Sequence, residues 1–381
     1  MRVLIINVCC GTGSTGRICT DLAVSLEKQG HEVKIAYGRD EVPEEYKKYA
    51  FRFNTKFGVL VDVLKTRMFD SAGFNSRKET KKFLLWVDDY NPDLIWLHNL
   101  HGYYINIELL FNYIKNNNKN VIWTLHDCWA FTGHCPYFSY VNCNKWQKEC
   151  NNCPQKHNYP ERLWIDASRK NYIKKKQLFL GVQNMQLITP SKWLAGLVKK
   201  SFLSEYPVKV IYNTIDKNIF RYTPGDFRKS NGLEDKKIIL AVAGVWDQRK
   251  GLQDVLKLRR LLSDKYCIVI VGLTKKQIST INNIYGETQL FLIERTNNAY
   301  ELAALYSTAD VFINTTYEDN YPTTNLEAQA CGTPCITYRT GGSVESVPEC
   351  NVVNQGDIEA LRKRIEEICN HPNNGTDPTY L

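Results

Sequence analysis

Hydrophobic residues along this chain fall into short, nearly unbroken runs, separated by stretches in which they recur at helical spacing. VLIINV at 3–8 predicts a buried strand, and after a glycine-rich turn the apolar positions from Ile18 to Leu26 predict a helix. Further strands are predicted at 31–38, 93–98, 120–126, 185–190 and 208–213. A second series begins at 237–245 and continues at 266–272, 288–294, 309–316 and 333–338. Strands that read as continuous apolar runs, alternating with helices, belong to parallel sheets covered on both faces. Two such series predict an α/β protein with two doubly wound, Rossmann-like domains. The expected divisions are 1–215, 216–365 and a short tail at 366–381, with the divide inside NTIDKNIF (213–220). In such sheets ligands sit beyond the carboxyl ends of the strands.

Composition narrows the class. The chain has 381 residues, 43% apolar and 23% charged, which excludes a disordered tail, a collagen-like repeat and a coiled-coil rod. Its longest apolar run, Ile238 to Trp246, falls far short of the ~20 residues that span a bilayer. The N-terminal stretch is interrupted by Asn7 and reads as a first strand rather than a signal peptide, so the expected compartment is the cytoplasm. The net charge of +9 is unevenly placed: residues 1–216 carry +10 and the remainder −1. Basic clusters run from Lys56 to Lys82 and through RKNYIKKK at 169–176. A basic face attracts anionic lipid, nucleic acid or a phosphorylated substrate, and equally serves as an ordinary solvated helix surface.

Thirteen cysteines are too many and too scattered for a small disulfide scaffold. Five of them crowd into a polar insertion at about 128–160, where Cys135, Cys143, Cys150 and Cys153 form C-x7-C-x6-C-x2-C. Four thiolates complete a tetrahedral zinc shell, and a terminal C-x2-C is a common half-site. Disulfides and free thiols are the other readings, and none of these cysteines reads as catalytic.

Four segments carry candidate chemistry. Gly11-Thr12-Gly13-Ser14-Thr15-Gly16 follows a strand and opens a helix, an arrangement that binds a dinucleotide, another anion, or nothing. The second strand ends on Arg39 before Asp40, which weakens the dinucleotide reading. His126-Asp127 stands where a core strand exits, with the carboxylate placed to orient the imidazole; His98 and His101 share that edge. Arg249-Lys250, after the first strand of the second series, suits the charge of a departing phosphate, or an exposed turn. In YEDNYPTTNLEAQACGTP (317–334), Thr324 and Glu327 have capping-box spacing, which alone would explain Glu327. The same helix start would cradle an anion, with Glu318 and Asp319 upstream to grip sugar hydroxyls.

Together, VLIINVCCGTGSTGRI, PDLIWLHNLHGYY, WTLHDCWAFTGHC, ITPSKWLA, VIYNTID, GVWDQRKG and EDNYPTTNLEAQACGTPCITYRTGGS resemble glycosyltransferase family 4, in a bacterial branch that builds cell-surface polysaccharides. The resemblance runs nearly unbroken to about residue 347. It implies the GT-B fold, two Rossmann-like domains facing each other across a cleft, and retaining transfer of a sugar from a UDP- or GDP-sugar to a hydroxyl of a glycan or lipid-linked acceptor. By the same resemblance Arg249 and Lys250 hold the donor diphosphate, Thr323, Thr324, Asn325 and Leu326 line the phosphate cradle, and Glu327 grips the ribose. Asp319 takes the first acidic position of the family's E-x7-E motif, beside Glu318, and contacts the transferred sugar. His126 lies near sugar and acceptor, and Ser14, Thr15 and Gly16 form the loop that approaches both. No metal or other cofactor is implied for catalysis. Val245 stands where many members carry an arginine, so Arg249 must supply that charge. The residues after Ile368 do not resemble the family's returning C-terminal helix.

Two other functions fit parts of this pattern. A nucleotide-sugar epimerase of the same fold also needs carboxylates around a sugar. A basic, cysteine-rich nucleic-acid module would explain the lysines and aromatics of 137–176, but the cysteine spacing is poor for a finger and the second half is neutral, so no nucleic-acid partner is expected. For a lipid-linked acceptor, the Lys56–Lys82 region is expected to dock on an anionic membrane surface from the cytoplasmic side.

Overall fold

The structure is a computed structural model that describes residues 1–286 and 289–371. The chain divides into two compact units, Met1–Tyr212 and a second beginning at Asn213. In the first, strands β1 (Arg2–Ile6), β2 (Glu32–Tyr37), β3 (Ala50–Arg52), β4 (Leu94–Leu97), β5 (Val121–Thr124), β6 (Met185–Thr189) and β7 (Val208–Val210) form one sheet in the order 3-2-1-4-5-6-7. In the second, β8 (Lys237–Val242), β9 (Tyr266–Val271), β10 (Leu290–Ile293), β11 (Val311–Asn314), β12 (Cys335–Tyr338) and β13 (Val352–Val353) are ordered 10-9-8-11-12-13. Every strand pair is parallel. Each sheet reverses its order beside its first strand, between β1 and β4 and between β8 and β11.

Alternate residues of the central strands explain why both runs are apolar throughout. Leu4 and Ile6 of β1 join a core with Trp123, Phe111 and Phe179, while Val3 and Ile5 pack on the other face with Cys19 and Ala23 of the helix Gly13–Lys28. In β8, Ile239 and Ala241 meet Leu258 and Ile365, and Ile238 and Leu240 meet Tyr306 and Ala328. Burying a side chain of this size stabilises by about 1.5–3 kcal/mol. Each unit thus has a core on both faces of its own sheet.

Three features depart from the sequence reading. Strands β3 and β13 were not predicted: β3 is three half-buried residues and β13 is two, too short for a period-two signal. The helix Ile358–Asn370 runs through residues 366–370, part of the tail expected from the sequence, because Leu361, Ile365, Ile368 and Cys369 bury one face. The rest of that tail, 372–381, lies outside the described residues. Among the described residues no helix is long and apolar enough to cross a membrane.

Candidate active site

The loops leaving β8 and β11 meet at the point where the second sheet reverses. After β8, Asp247 caps a single tight turn, Gln248–Lys250, by accepting the Lys250 N–H at 3.0 Å. Gly251 follows with φ of +72°, and a Cβ there would lie 2.1 Å from the Thr315 carbonyl oxygen. Thr315 Oγ1 donates to the carbonyls of Lys250 and Gly251, and Tyr317 N–H to that of Arg249 at 2.7 Å. The basic turn is therefore bound to the strand end that delivers the acidic residues.

Lys250 Nζ lies 2.5 Å from Asp319 Oδ2, and Arg249 Nη1 lies 3.8 Å from the same oxygen. Burial opposes ionisation of Asp319, but the charges of Lys250 and Arg249 and the N–H of Asn320 outweigh it and hold the carboxyl below the usual aspartate value. Gly342 N–H donates to the Asp319 carbonyl, and Gly341, at φ +52°, brings its Cα so close that a Cβ would meet that oxygen at 2.0 Å. Glu318 is fully buried, and its carbonyl accepts from Arg249 Nη1 at 2.6 Å. Of the two carboxylates expected at the site, Asp319 is the one that faces the basic turn, while the Glu318 backbone holds Arg249.

The helix Thr323–Ala330 starts two residues earlier than a capping box requires, with Pro322 at its cap and no side-chain bond there. Thr324 is inside the helix, so the predicted box does not form. Glu327 turns instead to Tyr306, whose hydroxyl donates to Oε2 at 3.1 Å inside the core. Thr323, Thr324 and Leu326 keep partial exposure at the helix start. Asn325 is buried: it accepts from Asn314 and donates to Ser346, so it ties the cradle to the sheet rather than lining it with its side chain.

In the first unit, Gly11 and Gly13 both take positive φ, and Gly11 N–H donates to the Gly16 carbonyl. Ser14, exposed, and Thr15, half-buried, thus sit in the first turn of the helix Gly13–Lys28, while Gly16 packs against Cys9. At the ends of β4 and β5 the imidazoles of His98 and His126 meet, Nδ1 to Nε2, at 2.9 Å. Burial pushes the His126 imidazole down to about 4 and His98 further, so both are uncharged at neutral pH. Asp127 takes a different partner from the one expected: its carboxylate accepts from His101 Nε2 at 2.8 Å and from Trp129 N–H. His101 in turn meets the Tyr159 hydroxyl at 2.9 Å. His98, His101 and Tyr159 thus form one cluster with His126 and Asp127 inside the first unit; HNLH after β4 is the signal for the two histidines, while Tyr159 comes from a distant loop and has none.

The helix Lys56–Phe69 is built inside out. Asp62 and Thr66 are buried, with Asp62 accepting from Ser76 at 2.6 Å and Asn75 at 3.1 Å, whereas Phe57 is 75% exposed, Leu60 55% and Leu64 53%. Beside it lies a hollow of about 750 Å3 lined by Phe57, Phe74, Lys65, Arg77, Lys78 and Lys82. The four cysteines of the insertion, Cys135, Cys143, Cys150 and Cys153, gather around a second, small hollow.

Comparison with known proteins accounts for both units. A family model described as Glycosyltransferase Family 4 matches residues 15–218, and one described as Glycosyl transferases group 1 matches 225–378. A putative colanic acid biosynthesis glycosyl transferase, WcaC of Escherichia coli (strain K12), is 24% identical over 95% of this chain and 89% of its own length. Sucrose-phosphate synthase from Thermosynechococcus elongatus superposes with a TM-score of 0.73 at 16% identity, covering 98% of this chain and 91% of that one. HepE of Anabaena, solved with UDP-glucose, gives 0.67 at 14% identity, covering 98% and 91%. These neighbours share the GT-B fold with this chain.

Proposed function

The chain belongs to glycosyltransferase family 4, and from that premise we propose that it transfers a sugar from a nucleotide diphosphate sugar to a hydroxyl of a growing surface polysaccharide, with retention at the anomeric carbon. The observation that carries this reading is the Arg249–Lys250 turn, bound against Asp319 at the switch point of the second sheet. The polysaccharide context is supported by the likeness to WcaC, and a uridine diphosphate donor by the HepE structure solved with UDP-glucose.

Arg249, Lys250 and the first-turn amides of Thr323–Ala330 receive the diphosphate, and Asp319, released from Lys250, accepts from sugar hydroxyls. As the bond from C1 to the phosphate oxygen lengthens, charge develops on that oxygen, and the two cations and the amides stabilise it. The acceptor oxygen attacks C1 from the face the phosphate is leaving, and its proton passes to that phosphate. Glu327, held by Tyr306, takes the ribose hydroxyls. His126, uncharged and fixed by His98, serves the transferred sugar and the acceptor as a neutral hydrogen-bonding group.

Acceptor delivery from a lipid carrier fits the inverted helix Lys56–Phe69, whose outward Phe57, Leu60 and Leu64 and neighbouring Lys65, Arg77, Lys78 and Lys82 suit an anionic bilayer surface. The test of the main reading is a thermal-shift panel of UDP-, GDP- and ADP-sugars followed by transfer assays. One donor should raise the melting temperature in the parent and fail to do so in Lys250→Ala. Conversion of that donor to an isomer without any acceptor would favour an epimerase instead.

A further inference from the structure

We propose that the insertion after β5 is a zinc module, with one Zn2+ held by the thiolates of Cys135, Cys143, Cys150 and Cys153. The four residues, drawn from a 19-residue stretch with only short single turns of helix, line one hollow of about 10 Å3 together with His134 and Trp146. A space of that size holds one water-sized occupant. Cys135 and Cys153 already share a thiol–thiol hydrogen bond, and backbone N–H groups of Gly133 and Gln155 donate to the sulfurs of Cys150 and Cys153. Such N–H donors favour a sulfur that carries negative charge.

Two further observations point to charge in this hollow. Lys175 is 1% exposed, and its ammonium bonds only to the carbonyls of Trp129 at 2.8 Å and Thr132 at 3.1 Å, with the Trp129 ring 3.3 Å away. A buried cation bonded to no carboxylate costs several kcal/mol. Burial pushes the Lys175 ammonium down to about 7, and Cys150 and Cys135 lie within electrostatic range of it along with the carboxylates of Asp70 and Asp127; a zinc centre with four thiolates, carrying two net negative charges, would add to that field. His134 is 2% exposed; its Nδ1 is held by Asp70 at 2.5 Å, and its Nε2 has no partner while the ring lines the hollow. That orphaned nitrogen, on the residue before Cys135, is a buried polar group of the hollow that calls for an occupant or partner there.

Among the described residues no three such side chains yet stand at the spacing of a closed shell. Closing it requires each thiol to release its proton to solvent and to turn about its Cα–Cβ bond until the sulfurs lie ~2.3 Å from a common ion. The ion would stiffen the segment that presents the histidine turn, since Cys128 N–H donates to the Pro136 carbonyl at 2.9 Å and Thr132 Oγ1 to that of Cys135 at 2.6 Å.

Elemental analysis of the full chain purified with zinc present tests this, together with the absorption spectrum after exchange into Co2+. One zinc per chain and an intense sulfur-to-cobalt charge-transfer band are expected, both retained in Cys350→Ser and lost in Cys150→Ser. Should Cys150→Ser not fold, titration of the parent with a thiol-blocking mercurial must release the zinc in step with loss of four thiols. Absence of zinc, retention of the metal in folded Cys150→Ser, or a mass showing these cysteines oxidised in pairs would overturn the proposal. None of these readouts depends on glycosyl transfer.

Discussion

At the scale of single residues, the geometry separates groups that act by charge from groups that act by place. Lys250 and Asp319 form a close ion pair, so Lys250→Ala removes the partner of a mostly buried carboxylate and, on the proposed function, a ligand of the donor phosphate. Turnover should fall about 10²–10³-fold, and urea denaturation should show a loss of about 1–3 kcal/mol. Adding Asp319→Asn should restore much of the stability and none of the turnover; recovery of both would mean that the pair is only structural. The histidines give a pH signature. His126 binds a proton less readily folded than unfolded, so its contribution is complete above pH 6.5 and is lost as pH falls from there toward 4. Stability should drop by about 3 kcal/mol across that window from His126 alone, and His126→Gln should make the profile shallower, leaving the share that belongs to His98. An equally steep profile in the variant would remove His126 as its source.

At the scale of elements, what the sequence made legible was whatever depends on local pattern. The long strands of both series and the helix after the glycine loop were readable because apolar runs and 3.6-residue spacing are local signals. The cap of Thr323–Ala330 was not, because Tyr306, twenty-one residues upstream, competes for Glu327. Nor was the partner of Asp127, which depends on where the loop after β4 places His101. The helix Lys56–Phe69 misleads any reader of pattern alone: its apolar stripe is the outer face, and its polar stripe is buried on Asn75 and Ser76. Leu60→Glu with Leu64→Glu should therefore leave the melting temperature unchanged while abolishing co-sedimentation with phosphatidylglycerol vesicles; binding that is equal on neutral vesicles would remove the electrostatic part of the docking. Gly251 makes a different element-level claim. Alanine there has both a strained backbone and a Cβ against the Thr315 carbonyl, so it should cost about 1–3 kcal/mol and lower donor affinity, read by calorimetric titration with the nucleotide.

At the scale of the whole molecule, each unit buries both faces of its own sheet, and the two sheets repeat the same winding with different occupants at the reversal. The charge asymmetry follows that division, with the excess of lysine and arginine carried almost wholly by the first 216 residues. On the proposed function, donor binding would belong to the nearly neutral half, where two cations suffice, and the basic half would carry the field that gathers an anionic surface.

The Lys250–Asp319 contact has one more consequence. On the proposed function, a ligand that brings only phosphate would tear the lysine from its carboxylate and leave that oxygen stranded, whereas a nucleotide sugar would supply hydroxyls to greet it. On that reading the resting contact is a toll against bare anions, inorganic phosphate and free nucleotide included, and it would re-form once the spent diphosphate left.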